Sequence, residues 1–281
     1  DAIELLLEKS SKKDENIDLI IAGDLQNQIA ASNYAIRNFK IPFLGIYNAC
    51  AISSEGIIIA STFLENRSAK NCIVATSSHN SSAEKQFRNP TEYGTPKPQT
   101  STFTTTGGAA ILLTTAKTNI KITSSTIGKI VDKGIKDVNH MGAIMAPAAA
   151  DTIYRHLKNL NQKPEYYDLI VTGDLGEYGK KILINYLKKV YNLDISKNYN
   201  DCGTMIYNTK KQAVLAGGSG PACSALTAFS YLLSKMKSGE IKRLLYVPTG
   251  AIFSPTMFFQ KESIPAIAHA VSLEVVKEWF M

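Results

Sequence analysis

Cys50 follows Asn48-Ala49 and opens onto Ala51-Ile52-Ser53, where a polar turn hands over to a long apolar run. A thiol at such a junction sits between a strand end and a helix N-terminus. Helix-end amides and the macrodipole favour a thiolate there, so Cys50 is the first candidate for nucleophile or ligand contact. The competing reading is a small buried apolar residue. The second candidate is Gly217-Gly218-Ser219-Gly220, just ahead of a helical stretch at Cys223. Glycines before a helix let backbone amides converge on an anion, which nominates Gly218 and Ser219. The turn lacks the Lys-Ser/Thr ending of a P-loop, and tight strand-helix packing would ask for the same glycines. The third is His79 with Asn80, closing the run Ala75-Thr76-Ser77-Ser78. Ligands of parallel sheets collect at the carboxyl ends of strands.

His140 and His269 are alternatives to His79, and His156 reads as a helix-surface residue. Arg88, Lys97 and Lys133 are loop cations, each also explicable as a solvated charge. Asp24, Asp132 and Asp174 are acids placed just after strands. Asp24 and Asp174 occupy matching positions of a repeat, which argues for a shared helix-capping role. Asp132 is therefore the acid nominated for a site.

The elements that position these residues come in two copies. Asp18-Leu19-Ile20-Ile21-Ala22-Gly23-Asp24-Leu25 returns as Asp168-Leu169-Ile170-Val171-Thr172-Gly173-Asp174-Leu175, a shift of 150 (168 − 18). Ala49-Cys50 matches Ala222-Cys223, and at that same shift of 173 Val74 and Thr76 match Val247 and Thr249. Two copies of one α/β unit, related by a pseudo-dyad, place a ligand site where the copies meet. The halves are residues 1–119 and 120–281. A strand-like run at 120–130 precedes the first helix of the second half, and the first half has no counterpart. It is expected to lack its first strand, with the parent chain longer by roughly one strand-loop unit.

Helical spacing predicts helices at 2–8, 28–39, 53–64, 146–160 (entered at Pro147), 179–190 and 223–237. Strands are predicted at 18–22, 43–47, 72–76, 107–114, 121–130, 167–172, 205–207, 213–215, 243–249 and 264–273, with 77–101 irregular. The stretch 53–64 is apolar all round, as a central buried helix must be. The alternation implies parallel strands with right-handed crossovers.

Hydrophobic content of 44% and charged content of 20% over 281 residues fit an ordinary globular protein. No apolar stretch reaches the roughly 18 residues that span a bilayer, and no signal peptide is visible. Net charge is +7 (31 − 24), which favours anionic lipid or anionic small molecules. Without a basic-aromatic block, nucleic acid is not an expected partner. The four cysteines form no C-x-x-C pair and gather no histidines, so free thiols are expected and zinc is not.

A duplicated α/β unit, with a Cys opening one central helix and a Gly-rich turn opening the other, resembles the thiolase fold of thiolases and beta-ketoacyl synthases. The resemblance sharpens over longer motifs. Pro42-Phe43-Leu44-Gly45, Ala75-Thr76-Ser77-Ser78-His79-Asn80, Pro90-Thr91-Glu92-Tyr93-Gly94, Met145-Ala146-Pro147-Ala148-Ala149-Ala150-Asp151-Thr152 and Ser263-Ile264-Pro265-Ala266-Ile267-Ala268-His269-Ala270 are similar to the stage V sporulation protein AD family of spore-forming bacteria. The resemblance implies two pseudo-symmetric α/β halves in α-β-α-β-α layers, with Cys50 at the nucleophile position. Thiolases carry a His in a Gly-His-Pro turn before the second central helix, where this chain has Gly217-Gly218-Ser219-Gly220. Condensing enzymes carry a His after the strand that here ends Thr172-Gly173-Asp174. Neither His is present, and Claisen chemistry needs an activated thiolate and donors for the enolate oxygen.

The resemblance therefore implies a retired enzyme site used for binding, with no catalytic residue and no cofactor. Its ligand would be dipicolinic acid, a small flat dianion, or the calcium chelate. Cys50, His79, Asn80, Asp132, Gly218, Ser219 and Arg88 are the expected contacts, with Arg88, Lys133 or Ca²⁺ balancing the charge. The implied setting is the periphery of the forespore or spore inner membrane, beside other subunits of a channel active in sporulation and germination. A homodimer through strand 72–76 is also implied. An acyltransferase working through Cys50, and a scaffold without a small-molecule ligand, are the alternatives.

Overall fold

The repeat shows first in two aspartates. In the computed structural model, which describes residues 1–87 and 96–276, Asp18 Oδ2 accepts the amides of Lys70 and Asn71 at 2.7 and 2.9 Å. Asp168 Oδ2 accepts those of Lys242 and Arg243 at 2.7 and 2.8 Å. Each carboxylate ties the start of one strand to the start of its neighbour, satisfying donors that precede the ladder.

The first half runs α1 (Ala2–Lys9), β1 (Leu19–Gly23), α2 (Ala30–Ile36), β2 (Phe43–Gly45), α3 (Ile52–Glu65), β3 (Asn71–Ser78), α4 (Asn80–Phe87), β4 (Phe103–Thr104) and β5 (Gly107–Thr114). The second runs β6 (Ile120–Thr126), α5 (Met141–Asn159), β7 (Leu169–Thr172), α6 (Gly176–Tyr191), β8 (Tyr199–Asp201), α7 (Cys202–Met205), β9 (Gly218–Ser219), α8 (Pro221–Leu226), a π-helical turn at Thr227–Leu232, α9 (Leu233–Lys237), β10 (Arg243–Val247), β11 (Thr249–Ala251), α10 (Pro255–Phe259), β12 (Ala266–Ala268) and β13 (Ala270–Val275).

Two main sheets result, ordered β2-β1-β3-β5 and β6-β13-β10-β7-β8, beside two short two-stranded pairs, β11-β12 and β4-β9. β2, β1 and β3 are mutually parallel, as are β8, β7 and β10, while β5 and β13 run antiparallel to β3 and β10. The sheets are thus mixed at one side, where the alternation suggested parallel strands throughout. β6 pairs along the outer edge of β13, and no strand among the described residues pairs along the outer edge of β5.

β1 and β3 are near-continuous apolar runs because both their faces are covered. One face meets Ile3, Leu7 and Ile36 from α1 and α2. The other meets α3 and α8 in a cluster that joins Ile21, Ile57 and Val74 to Val171, Cys223 and Tyr246 of the second half. α5 and α6 cover the second sheet from outside through Ile153, Leu183 and Leu187. The layers are α-β-α-β-α, with α3 and α8 in the middle. Ile52 and Ile57 are fully buried there, and the Ser53 hydroxyl reaches the buried Tyr246 hydroxyl at 2.8 Å.

Several elements depart from the sequence reading. α2 starts late because Gln28 and Ile29 hold positive φ, 58° and 48°. α4 occupies part of the stretch read as irregular. Pro147 lies inside α5, six residues past its first, and does not open the helix. Residues 202–205 are helical, and 213–215 contribute a single bridge, Leu215 to Thr102. The strand expected over 264–273 breaks at His269, so that β12 pairs with β11 and β13 with β10. β3 sits between β1 and β5, so the strand expected to form a dimer edge is interior to its sheet. His156, read as a surface residue, is fully buried between the Thr126 and Tyr167 hydroxyls, both at 2.8 Å.

Candidate functional site

Cys50 lies in a 3₁₀ turn, Ala49–Ala51, that feeds α3. The turn is strained: Ala49 holds φ 48°, a conformation that costs a non-glycine residue about 1 kcal/mol or more. The strain presents the thiol to the second half of the molecule, where it meets Asp174.

Asp174 follows β7 and is fully buried. Its Oδ1 accepts the Thr249 hydroxyl at 3.0 Å. Its Oδ2 accepts the Gly220 amide at 3.0 Å and the Ser219 hydroxyl at 3.1 Å. The Cys50 thiol stands close enough to this carboxyl for the Asp174 charge to act on it. Gly220 can serve because φ 94° is open to glycine, and a Cβ there would lie 2.9 Å from Ser78 Oγ. The Gly-rich turn thus spends the Gly220 amide and the Ser219 hydroxyl on a carboxyl of the protein itself.

Electrostatics follow from this packing. Burial and then the charge of Asp174 push the Cys50 thiol well above its ordinary range. A helix N-terminus contributes only about 0.3–1 kcal/mol, while an unpaired buried charge costs several. The macrodipole loses, and Cys50 is a neutral thiol. Burial also raises the Asp174 carboxyl to about 6 despite its three donors.

The imidazole question resolves at His269, the residue between β12 and β13. Its Nδ1 accepts the Gly128 amide at 3.1 Å, and its Nε2 lies 3.0 Å from the Asn48 side-chain amide. A bare Nδ1 puts the proton of the neutral ring on Nε2, so the Asn48 side chain, two residues from Cys50, meets it with its amide oxygen. Burial lowers the ring to about 4, so it is neutral. Glu55, in the first turn of α3, has its carboxyl raised by burial. Position 128 admits only glycine, since a Cβ would stand 1.8 Å from the Ala268 carbonyl oxygen. Gly128→Ala is expected to cost about 3 kcal/mol, measured by urea unfolding; a loss under 1 kcal/mol would show that this backbone can yield.

A cavity of about 370 Å³ is lined by Asp24, Gln26, Ser78, His79, Ser82 and Gln86 among others, and by none of Cys50, Asp174 or His269. Ser78 joins the cavity to this cluster, its hydroxyl receiving the Ala222 amide at 3.3 Å. Tyr47 also stands between them, within electrostatic reach of both Asp24 and Cys50.

The residues nominated from the sequence divide. Cys50 and Ser219 meet at Asp174. Gly218 sits in β9, where a Cβ would crowd Ile206 and Cys223; its role is packing. His79 lines the cavity, whereas the Asn80 side chain is used locally on the Thr104 carbonyl at 3.3 Å. Asp132 spends its carboxylate on Gly134 and Ser263, at 2.8 and 2.6 Å, and shares no partner with Cys50. Arg88 lies outside the described residues. Lys97 pairs with Glu84 at 2.7 Å, and Lys133 lies over the Tyr186 ring. His140 caps α5. Asp24 is not an N-cap residue, the caps after β1 being Gln26 and Ile29, but it accepts the Gln26 amide and the Ser32 amide and hydroxyl near the start of α2; its repeat mate Asp174 has no such role, since the donors after β7 go to Asp201. Asp174, Thr249 and Asn48 were not nominated. The signal was the broken symmetry of the Asp24–Asp174 pair, since only one copy has a Gly-rich turn to receive it.

Comparison with known proteins places this geometry. The model of the family described as stage V sporulation protein AD matches residues 1–274. The chain belongs to the stage V sporulation protein AD family. It is 47% identical over 274 residues to stage V sporulation protein AD of Bacillus subtilis (strain 168), covering 98% of this chain and 80% of that protein. Solved structures share the fold. OleA H285N of Xanthomonas campestris superposes with a TM-score of 0.62 at 15% identity, over 97% of this chain and 80% of that one. 3-Oxoacyl-[acyl-carrier-protein] synthase III of Aquifex aeolicus VF5 gives 0.56 at 14%, over 95% and 80%. The fold is thiolase-like, and the family membership supports a role in sporulation.

Proposed function

We propose that this protein is a catalytically silent thiolase-fold protein that binds dipicolinate at the spore inner membrane. The observation that carries the silent half is the Cys50–Asp174 contact. A nucleophilic thiol needs a base that takes its proton or a cation that holds its thiolate. Here a buried carboxylate faces it and opposes the thiolate. The His269 imidazole is committed to Gly128 and Asn48.

The ligand half rests on family membership together with the cavity lined by Asp24, Ser78 and His79. About 370 Å³ is adequate for a single small aromatic acid. No Lys or Arg lies among its described lining residues, and Asp24 does. The neutral 1:1 calcium chelate therefore suits it better than the free dianion, which would need a cation beside it. In this reading calcium enters as part of the ligand. Peripheral attachment, with channel subunits as neighbours, completes the reading; no described helix is long and apolar enough to cross a membrane.

Equilibrium titration with dipicolinate, with and without calcium, tests it. Saturable binding is expected, tighter with equimolar calcium and weakened at least about tenfold by His79→Ala, which removes a polar wall of the cavity. Cys50→Ala should weaken it less, because the thiol faces Asp174. Absence of binding would refute the ligand half. A thioester on Cys50, formed from an acyl-CoA and turned over, would refute the silent half and restore an acyltransferase.

A further inference from the structure

The loop 127–136, between β6 and α5, presents an unusual surface. Ile127 and Ile130 are 64% and 63% exposed. Lys129, Lys133 and Lys136 stand exposed among and after them. The backbone is not loose. The Gly128 amide is bonded to His269, Val131 exchanges both backbone bonds with Ala266, and the Arg155 guanidinium donates to the Ile127 carbonyl at 3.4 Å. Two β-branched apolar side chains are thus held outward by a fixed scaffold. Around them, Lys129 and Arg155 share Asp151 on α5, and the exposed Lys158 lies over Tyr154 one turn along. Asp132 and Asp137 are the exposed acids of the loop, and Asp132 is turned onto Ser263 and Gly134. Cations therefore outnumber acids on this face, as they do in the whole chain at +7.

We propose that this face is where the protein docks on an anionic bilayer. Ile127 and Ile130 enter the headgroup-acyl boundary, while Lys129, Lys133, Lys136 and Lys158 keep their ammonium groups at the lipid phosphates. Apolar wedges set among basic side chains are what interfacial binding requires: buried apolar area and attraction to anionic lipid act together, and long Lys stems reach the headgroups. The inference rests on the peripheral-membrane part of the proposed function and adds the surface and its chemistry. It also orients the molecule. Thr126 pairs with Ala270 at the sheet end where Val247 pairs with Thr172. Those strands lead to Thr249 and Asp174, so docking by this loop turns the Cys50 end of the sheet toward the membrane.

Co-sedimentation of the full chain with vesicles is the test, using phosphatidylglycerol mixed with phosphatidylcholine against phosphatidylcholine alone. Binding is expected to the anionic vesicles only, and to fall as salt rises. I127D/I130D should weaken it at least about tenfold, and K133E/K136E should do the same. Both pairs are exposed, and an unchanged melting temperature shows that they fold. No binding by the parent chain overturns the proposal, as does a parent chain held only when a membrane protein partner is present. Equal binding by I127D/I130D also overturns it. Dipicolinate titration of the parent chain is read separately: a parent chain that binds anionic vesicles but no dipicolinate defeats the pocket reading and leaves this one standing.

Discussion

Asp174→Asn is expected to wake the Cys50 thiol. At pH 8, iodoacetamide should alkylate the parent chain slowly and the variant roughly five to ten times faster. Two influences suppress the parent thiolate: burial first, then the carboxylate charge. The substitution leaves burial in place and removes the charge. A nearby like charge moves a pKa by about one to two pH units, equivalent to a ten- to hundredfold change in thiolate population. A less basic thiolate is also a weaker nucleophile, which returns about half of that gain on a logarithmic scale. Asn keeps an acceptor for the Gly220 amide, so the turn should stay closed. Peptide mapping reads the correct residue, because Cys72, Cys202 and Cys223 are buried. An unchanged rate would mean that Asp174 does not govern the thiol, and a parent chain that reacts like a free cysteine would mean that Cys50 is poised for chemistry after all.

That experiment turns on a residue whose type was visible and whose role was not. Asp24 and Asp174 match in the repeat, and one capping function explained both. A repeat fixes backbone position, but it does not say what each copy later finds opposite. Opposite Asp24 lies Ser32 of its own half; opposite Asp174 lie Gly220, Ser219, Thr249 and Cys50 from three separate stretches. Such convergence is a tertiary fact that single-chain spacing does not carry. The fold was far more legible. β1, β3, β7 and β10 are continuous apolar runs, and Asp18 with Asp168 marks equivalent strand starts. α4 was missed because Ala83 is its one buried residue, leaving no periodicity to detect. Pro147 looked like a helix start because proline favours the first turn; α5 instead accommodates it in a helix of nineteen residues with a fully buried middle. His156 was misplaced because a histidine among charged helix residues looks solvated. The hydroxyls that hold it, on Thr126 and Tyr167, are 30 and 11 residues away.

His156 and His269 together should make the protein lose stability as pH falls from about 6.5 to 4. Both rings are lowered to about 4, in each case by burial. His156 sends its Nε2 proton to Tyr167, whose own hydroxyl is spent on Gln162 at 2.9 Å, so Nδ1 accepts from Thr126. His269 Nδ1 must likewise stay bare to receive Gly128. The unfolded chain takes up these protons below about pH 6.5, while the folded chain refuses them until about pH 4. A folded value below the unfolded one means stability is full above 6.5 and drains away down to 4. At 1.36 kcal/mol per unit, each ring accounts for about 3 kcal/mol. Asp174 works against them: raised to about 6 from 3.8, it gives the folded state extra proton affinity and about 3 kcal/mol of relative stabilisation over the same interval. The parent chain should therefore lose about 3 kcal/mol net from these three groups between pH 7 and pH 4, measured by urea unfolding. In His156→Gln that pH-dependent loss should shrink by about 3 kcal/mol, whatever the variant costs at pH 7, because glutamine has no proton to gain. In Asp174→Asn the loss should instead grow by a similar amount, since the opposing group is gone. The two variants pull the pH profile in opposite directions, and a profile that neither one moves would place the titrating groups elsewhere in the molecule.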